Sequence, residues 1–462
     1  MERERLNQLS ELINRNILFE ENPGDITFTL RYISTALEKH KDLRSVDQIL
    51  EFLCNITLYE QVAKNVEKDV VYKLVTFLHF ELPSTIELAL NIINNVYFDL
   101  LPWIHEFLLD KGIISIMLKL LSSQVKEVRN KSCVFLTSFA NHKKKNLVED
   151  EVFLKVFCEK ILIETSLGVT ETMSILLLKL LKVNNRHEDV PLSKLSTITE
   201  AVLSLLKNDC PTIVQNGCSI LYNITKFFCE AKYQILFLKN DEMVLEISKL
   251  VAYENTVILH ESLKVVLNLT LSTEIILQMM TYEFISILKE LLLHHFKKIR
   301  SLVCWIFSNV VAQGKCIEEM IDMKVYKIIT DLIIEDIYID VKKEAIWIIG
   351  NFTRLYSGVM LKRIIEILRC VTFILLDVRS WELSDGEIII VVALQILLDY
   401  VKKMPCYQEL EDELERYDFG QIISKIRELI EHNNISISLL ARDIIINIEV
   451  RTQTSKDLNL SR

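Results

Sequence analysis

A chain of 462 residues that is half hydrophobic and a quarter charged has ample apolar material for a large core, which excludes a disordered polymer. Nine glycines and six prolines are too few for the turns, bulges and phosphate loops of sheet-rich and α/β proteins, so helices joined by short connections are expected. A formal net charge of −10 argues against general nucleic-acid binding, which needs a basic face, and suits a basic partner.

From the N-terminus, Met1-Glu-Arg-Glu-Arg has no apolar segment behind it, so no secretory signal is expected. Residues 1–45 read as an N-terminal helical segment or cap. The most apolar stretch, Ile388 to Leu398, is about eleven residues long and holds Gln395, too short to span a bilayer, so no membrane partner is expected. The ten cysteines, from Cys54 to Cys406, form no Cys-x-x-Cys pair, which predicts reduced thiols in cytoplasm or nucleus.

An asparagine with apolar neighbours recurs along the chain: Cys54-Asn55-Ile56, Asn94-Asn95-Val96, Tyr222-Asn223-Ile224, Leu267-Asn268-Leu269, Ser308-Asn309-Val310, Gly350-Asn351-Phe352 and Ile446-Asn447-Ile448. Asn55 to Asn95 is 40 residues, Asn223 to Asn268 is 45, Asn268 to Asn309 is 41 and Asn309 to Asn351 is 42. The 128 residues from Asn95 to Asn223 divide into three steps, placing degenerate positions near Ser138 and Leu180. The 96 residues from Asn351 to Asn447 divide at Asp399. Ten helical repeats of roughly 42 residues follow, over residues 46–450, with a polar tail at 451–462.

The repeat after Asn95 shows the internal order. A short helix from Pro102 ends at Asp110-Lys111-Gly112, a second runs from Ile113 to Leu121, and a third begins near Lys126 and passes Leu136. A short helix followed by two longer ones is the armadillo pattern, and each repeat buries its apolar face only by stacking on its neighbours. The predicted fold is therefore an all-α armadillo-repeat solenoid. Asn55-Ile-Thr, Asn223-Ile-Thr, Asn268-Leu-Thr and Asn351-Phe-Thr also read as glycosylation sequons, but the repeat accounts for them better.

Repeats seven and eight carry the strongest constellation. Trp305 and Asn309, like Trp347 and Asn351, are four residues apart and share a helix face. Third helices packed about 8–10 Å apart match about three residues of extended chain. Asparagine amides can fix a peptide main chain, and indole faces can hold the stem and charge of Lys or Arg. Glu344, three residues before Trp347, can pair with a bound cation.

The strings Cys304-Trp305-Ile306-Phe307-Ser308-Asn309-Val310 and Lys343-Glu344-Ala345-Ile346-Trp347 through Asn351 resemble the third-helix motif of the importin-α family of nuclear import adaptors. Tyr407 to Gly420, followed by Lys425 to Asn434, is similar to that family's C-terminal repeat. The resemblance covers residues 46 to 450. It implies a right-handed superhelix whose concave groove binds basic nuclear-localisation-signal cargo. It also implies coupling to an importin-β-type carrier, an export receptor at the C-terminal repeats, and residence in cytoplasm and nucleus. The implied peptide-binding residues are Trp305, Ser308, Asn309, Glu344, Trp347 and Asn351, with Lys264 four residues before Asn268, and Asn223 and Asn95 in earlier repeats. In repeats two to four the tryptophan positions hold Asn91, Val134 and Leu176, and the asparagine positions hold Asn95, Ser138 and Leu180. His142, followed by Lys143, Lys144 and Lys145, stands where the family is acidic. Arg3, Arg5, Arg15, Arg31, Lys39, Lys41 and Arg44 are spread out, unlike the family's dense importin-β-binding arm.

For the asparagines two readings stay open: bridging of neighbouring repeats, or peptide binding. Trp103 and Trp381 read as packing residues, and Lys143 to Lys145 as a solvated loop, with a self-inhibitory segment as the rival. His294-His295 reads as a hydrated helix end, because no further metal ligands stand at a useful spacing. Glu409 to Glu415 reads as an acidic helix surface, either solvated or facing a receptor. Nucleophile elbow, P-loop, dinucleotide fingerprint and HExxH are all missing, so no enzyme, cofactor or metal is expected. Two functional readings result: a nuclear import adaptor, or a cytoplasmic armadillo scaffold outside nuclear import.

Overall fold

Helices account for every regular element of the described residues, as scarce glycine and proline lead one to expect. The computed structural model describes residues 23–39, 43–97, 101, 103–150, 152–182, 192–226, 241–356, 361, 367–377, 386–403 and 419–460. The chain divides into two bodies, Met1–Asn223 and Ile224–Arg462, each taken by itself below.

We label only the third helix of each repeat: α1 Leu43–Ile56, α2 Pro83–Tyr97, α3 Lys126–Glu149, α4 Leu167–Leu181, α5 Pro211–Thr225, α6 Thr256–Leu269, α7 Lys297–Ala312, α8 Ile339–Leu355, α9 Gly386–Lys403 and α10 Ile435–Leu460. In the first body α1 packs on α2, α2 on α3 and α3 on α4; in the second, α6 to α10 pack each on the next. The three-helix order is complete in Glu60–Ala63, Lys68–Phe77 and α2; in Ile104–Asp110, Ile113–Leu120 and α3; in Thr273–Met279, Tyr282–Leu291 and α7; and in Ile317–Asp322, Val325–Glu335 and α8. The molecule is an all-α repeat solenoid of the armadillo/HEAT type.

The third helix of repeat seven buries all but a narrow stripe. On α7, Val303, Cys304, Ile306, Phe307, Val310 and Val311 are buried, whereas Trp305 faces out and Asn309 is half-buried one turn later. At roughly 1.5–3 kcal/mol for each large aliphatic or aromatic side chain, this packing is the main force holding repeat on repeat. The corner before the second helix needs a left-handed residue. Gly112 (φ 69°) supplies it in one repeat and Lys324 (φ 58°) in another.

Two expectations change. Lys143, Lys144 and Lys145 are helical rather than a loop: α3 contains no glycine or proline and continues through a kink at Lys143 (φ −123°, ψ 31°) to Glu149. The residues past that kink take the place of the short first helix of repeat four. At the C-terminus, α10 runs through the stretch read as a tail as far as Leu460, again without a glycine or proline.

One strut recurs in both bodies. Arg129 on α3 holds Glu164 with two bonds of 2.6 and 2.7 Å, and its Nη1 donates to the Ser123 carbonyl at 2.8 Å. Arg300 on α7 holds Asp336 at 2.7 and 3.1 Å and donates to the His294 carbonyl at 2.7 Å. Each arginine ties its own loop to the end of the next repeat's second helix, and both carboxylates are almost fully buried.

Candidate peptide-binding face

The asparagine ladder is first a structural bridge. Asn309 Nδ2 donates to the Leu267 carbonyl (3.5 Å) and to Thr270 Oγ1 (3.1 Å) on the preceding third helix. Asn351 Nδ2 donates to the Ser308 carbonyl (3.1 Å) and hydroxyl (3.0 Å), and Asn95 Nδ2 to the Cys54 carbonyl (3.3 Å) and Thr57 Oγ1 (3.1 Å). Asn268 Nδ2 reaches Thr225 Oγ1 at 3.1 Å. A main-chain carbonyl only accepts, so the amide's donor end must face the preceding repeat. This explains the sequon-like threonines: Thr57, Thr225 and Thr270 each stand two residues after a ladder asparagine and accept from the next one.

The same carbonyl contact corrects the register of repeat four. Lys179 Nζ donates to the Thr137 carbonyl at 2.9 Å, just as Asn95, Asn309 and Asn351 reach their preceding helices. Leu180 and Leu176, the expected ladder positions, are buried, whereas Lys179 is half-buried and Ile175 exposed. The ladder residue is therefore Lys179, with Ile175 one turn before it. Burial lowers the Lys179 ammonium's pKa. Asp399 holds the expected position on α9, half-buried, accepting from Gln395 Nε2 at 3.0 Å.

In the second body Trp305 is 48% and Trp347 42% exposed, each with buried residues on both sides in sequence. They are not core side chains. Among the described residues no cation lies over either indole. One turn on, Asn309 has spent its N–H groups on α6, leaving Oδ1 as its remaining polar atom, an acceptor. The corresponding Asn351 Oδ1 accepts from Arg354 Nη2 at 3.1 Å. Glu344 is half-buried, no salt bridge reaches its carboxylate among the described residues, and burial raises its pKa despite Lys343 nearby. Lys264 occupies the tryptophan position on α6 and is bound to Glu261 at 2.8 and 3.0 Å. Burial pushes the Glu261 carboxyl up, but bonds from His260 and Lys264 overcome it and hold the pKa at about 2.

The structure therefore brings Trp305, Asn309, Trp347, Asn351 and Glu344 onto two adjoining helices, α7 and α8. Ser308 belongs elsewhere: it is buried and serves as the acceptor for Asn351. Asn95 and Asn223 lie in the first body, where Asn223 Nδ2 bonds its own helix at the Ser219 carbonyl (2.8 Å). Asn447 does the same at the Asp443 carbonyl (2.8 Å).

Other sequence candidates fall in quieter places. Trp103 packs on Phe107 with Lys68 over its ring, as a packing residue does. Lys143 pairs with Glu106 and Lys145 with Glu149. The rings of His294 and His295 stack at 4.4 Å, and His294 Nδ1 accepts from the Phe296 amide. Among the described residues no group of three or more His, Cys, Asp or Glu could hold a metal, and no helix is long and apolar enough to cross a membrane. The arginine basic-arm positions Arg3, Arg5 and Arg15, together with Trp381 and Glu409 to Glu415, lie outside the described residues.

The fold and this face define an armadillo/HEAT-type repeat solenoid. The sequence matches no protein-family profile and no curated protein. Among solved structures it is similar to an engineered protein, Northeast Structural Genomics Consortium target OR497, with TM-score 0.68 and 15% identity over 91% of this chain and 98% of that one. That likeness shows the fold alone. Two designed armadillo repeat proteins also align over 54% of this chain and 98% of theirs: YIII(Dq)4CqI, with TM-score 0.45 and 13% identity, and YIII(Dq.V1)4CPAF in complex with peptide (KR)4, with TM-score 0.46 and 16% identity.

Proposed function

We propose that this protein is a binding scaffold whose second body holds an extended segment of a partner protein along α7 and α8, with Lys or Arg stems lying on Trp305 and Trp347. The observation that carries this reading is the exposure of both indoles, in one register, on consecutive third helices. Half-exposed tryptophans forgo much of the burial that favours an indole in a core, so a partner that covers them recovers it. Glu344, one turn before Trp347, supplies a carboxylate whose burial outweighs the attraction of nearby Lys343, and a bound cation adds the charge that burial leaves uncompensated. On this reading the Asn309 side-chain oxygen, Oδ1, accepts a main-chain N–H of the partner.

The narrower form is a basic nuclear-localisation segment handed to an importin-β-type carrier, moving between cytoplasm and nucleus. It rests on the Trp–Asn register. A scaffold for a partner of mixed charge is favoured by a different observation: Lys264 holds the tryptophan position on α6, and Lys343 and Arg354 lie on α8 with Glu344.

The test is titration of a fluorescent (Lys-Arg)4 peptide against wild type and the Trp305→Ala/Trp347→Ala double variant at two salt concentrations. Cation–π contacts of about 0.5–2 kcal/mol each predict at least about a fivefold loss in the double variant, and weaker wild-type binding at high salt. Because about half of each indole is buried, the double variant should melt below wild type yet stay folded, and binding is compared below both midpoints. Equal binding by both proteins removes the assigned face, and no binding by wild type removes the cationic partner and leaves the scaffold reading.

A further inference from the structure

A separate cavity of about 360 Å³ opens between the starts of α6 and α7, walled by Val257, His260, Phe296 and Ile299, with Lys297 and Lys298 at its mouth. Val257 is 51% and Phe296 48% exposed, so two large apolar side chains line an open depression instead of closing it. The two helix starts differ. On α6, Asn255 Oδ1 accepts from the Val257 and Ile258 amides at 3.0 and 3.3 Å, which satisfies that terminus. On α7 the cap residue is Phe296, which offers no side-chain acceptor.

The mouth is also positively charged. Lys297 is paired: it reaches Asp340 at 3.2 Å and lies 4.8 Å over the Tyr338 ring. Lys298 is exposed and has no ion pair among the described residues. Two cations in the first turn of a sixteen-residue helix oppose its dipole, so a negative group at this end is favoured by lysine, helix terminus and open N–H groups together. His260 is already engaged, with Nδ1 at 3.3 Å from Glu261.

We propose that this cavity is a second recognition site, taking an apolar side chain of the Phe or Leu kind that stands beside a carboxylate in an extended segment of a partner protein. The apolar walls bury the side chain, and Lys298 with the uncapped start of α7 holds the acid. Lys298 and Trp305 are seven residues apart on one helix, roughly 10 Å at 1.5 Å per residue, or about three residues of extended chain. One partner can therefore engage both sites, yet this site does not depend on the indoles.

The experiment is methyl-resolved NMR of the full chain, with acetyl-Gly-Asp-Phe-Asp-Gly-amide as probe. Saturable shifts are expected at the Val257 and Ile299 methyls. They should vanish when the probe's Phe is replaced by Ala, and weaken at least tenfold when both its Asp residues become Lys. Val257→Trp should fill the cavity and abolish binding. Lys298→Glu, at an exposed position that leaves the core untouched, should weaken it at least fivefold. Trp305→Ala/Trp347→Ala should leave it unchanged, which separates this site from the cationic face. No wild-type shift, or equal shifts from the Ala or Lys probe, overturns the proposal.

Discussion

Asn351 on α8 gives both of its amide hydrogens to one residue of α7, Ser308, at 3.1 Å to the carbonyl and 3.0 Å to the hydroxyl. The bridge joins the two helices that carry the exposed tryptophans. Asn351→Ala should therefore destabilise the protein by about 1–3 kcal/mol, because it strands partly buried acceptors on Ser308. Asn351→Asp should cost more, since it sets carboxylate oxygens against a carbonyl oxygen. Urea midpoints of the three proteins measure this; an Asp variant as stable as wild type would show that the donor end of the amide is not what holds α8 to α7.

Arg300 and Asp336 form a pair that is 11% and 4% exposed in side-chain area, with the arginine also donating to two loop carbonyls. Removing one partner leaves the other charged and buried. Arg300→Met alone should cost about 3–5 kcal/mol. Arg300→Met combined with Asp336→Asn should recover a large part of that loss, because the asparagine keeps an oxygen for the Tyr338 amide that Asp336 now accepts at 2.9 Å. A double-mutant cycle without coupling would reduce the pair to a surface contact.

Lys324 sits in the left-handed region at φ 58° with its side chain exposed, in the corner that Gly112 fills in another repeat. Lys324→Gly removes the Cβ clash and should raise stability by up to about 1 kcal/mol, less the backbone freedom that glycine returns to the unfolded chain. Thermal denaturation reads the sign. A drop in the midpoint would mean that the entropy loss outweighs the strain.

Glu344 has a folded-state pKa raised by burial above its ordinary carboxylate value. The unfolded state therefore loses its proton first as pH rises, and the ionised native group weighs against folding above that window. Glu344→Gln should stabilise the free protein at pH 7, with the gain fading as pH falls below the ordinary carboxylate range. The same variant should weaken binding of a (Lys-Arg)4 peptide. Opposite signs in stability and affinity are the signature of a carboxylate held for a cation; a variant that changes neither would place Glu344 outside the binding face.

Much of this architecture is legible in the sequence because the ladder residue has a direct physical job. Asn95, Asn309 and Asn351 reach a carbonyl on the preceding helix from one register, so the residue recurs there, whereas Asp399, which lacks the donor, could be placed only by dividing the gap between Asn351 and Asn447. The same division failed at repeat four, because Lys179 makes the carbonyl contact with an ammonium and equal steps point to Leu180 instead. The half-polar stripe through Ile175 and Lys179, against buried Leu176 and Leu180, was the signal that could have corrected it. The contact that Ser308 makes with Asn351 was not legible for a related reason: spacing sets a residue's position along a helix but not which neighbour it faces. The arginine strut went unread as well. It was recoverable from Arg129 and Arg300, which stand nine residues before Ser138 and Asn309 respectively. The cavity beside Val257 had no sequence signal, since it arises where two helix starts are capped differently.

The hydroxyl-and-carbonyl acceptor set also bears on how such a chain can lengthen or shorten. Leu267 with Thr270 and Ser308 with its own hydroxyl offer the next helix the same chemistry. A deletion that joins Thr270 to Ala312, in register with the 41-residue step from Asn268 to Asn309, would set Asn351 opposite an acceptor pair of the kind it already uses. Whole repeats can thus be gained or lost by unequal recombination without orphaning the amide that seals the joint, whereas a break between a ladder asparagine and the threonine two residues later would separate the two halves of one clasp.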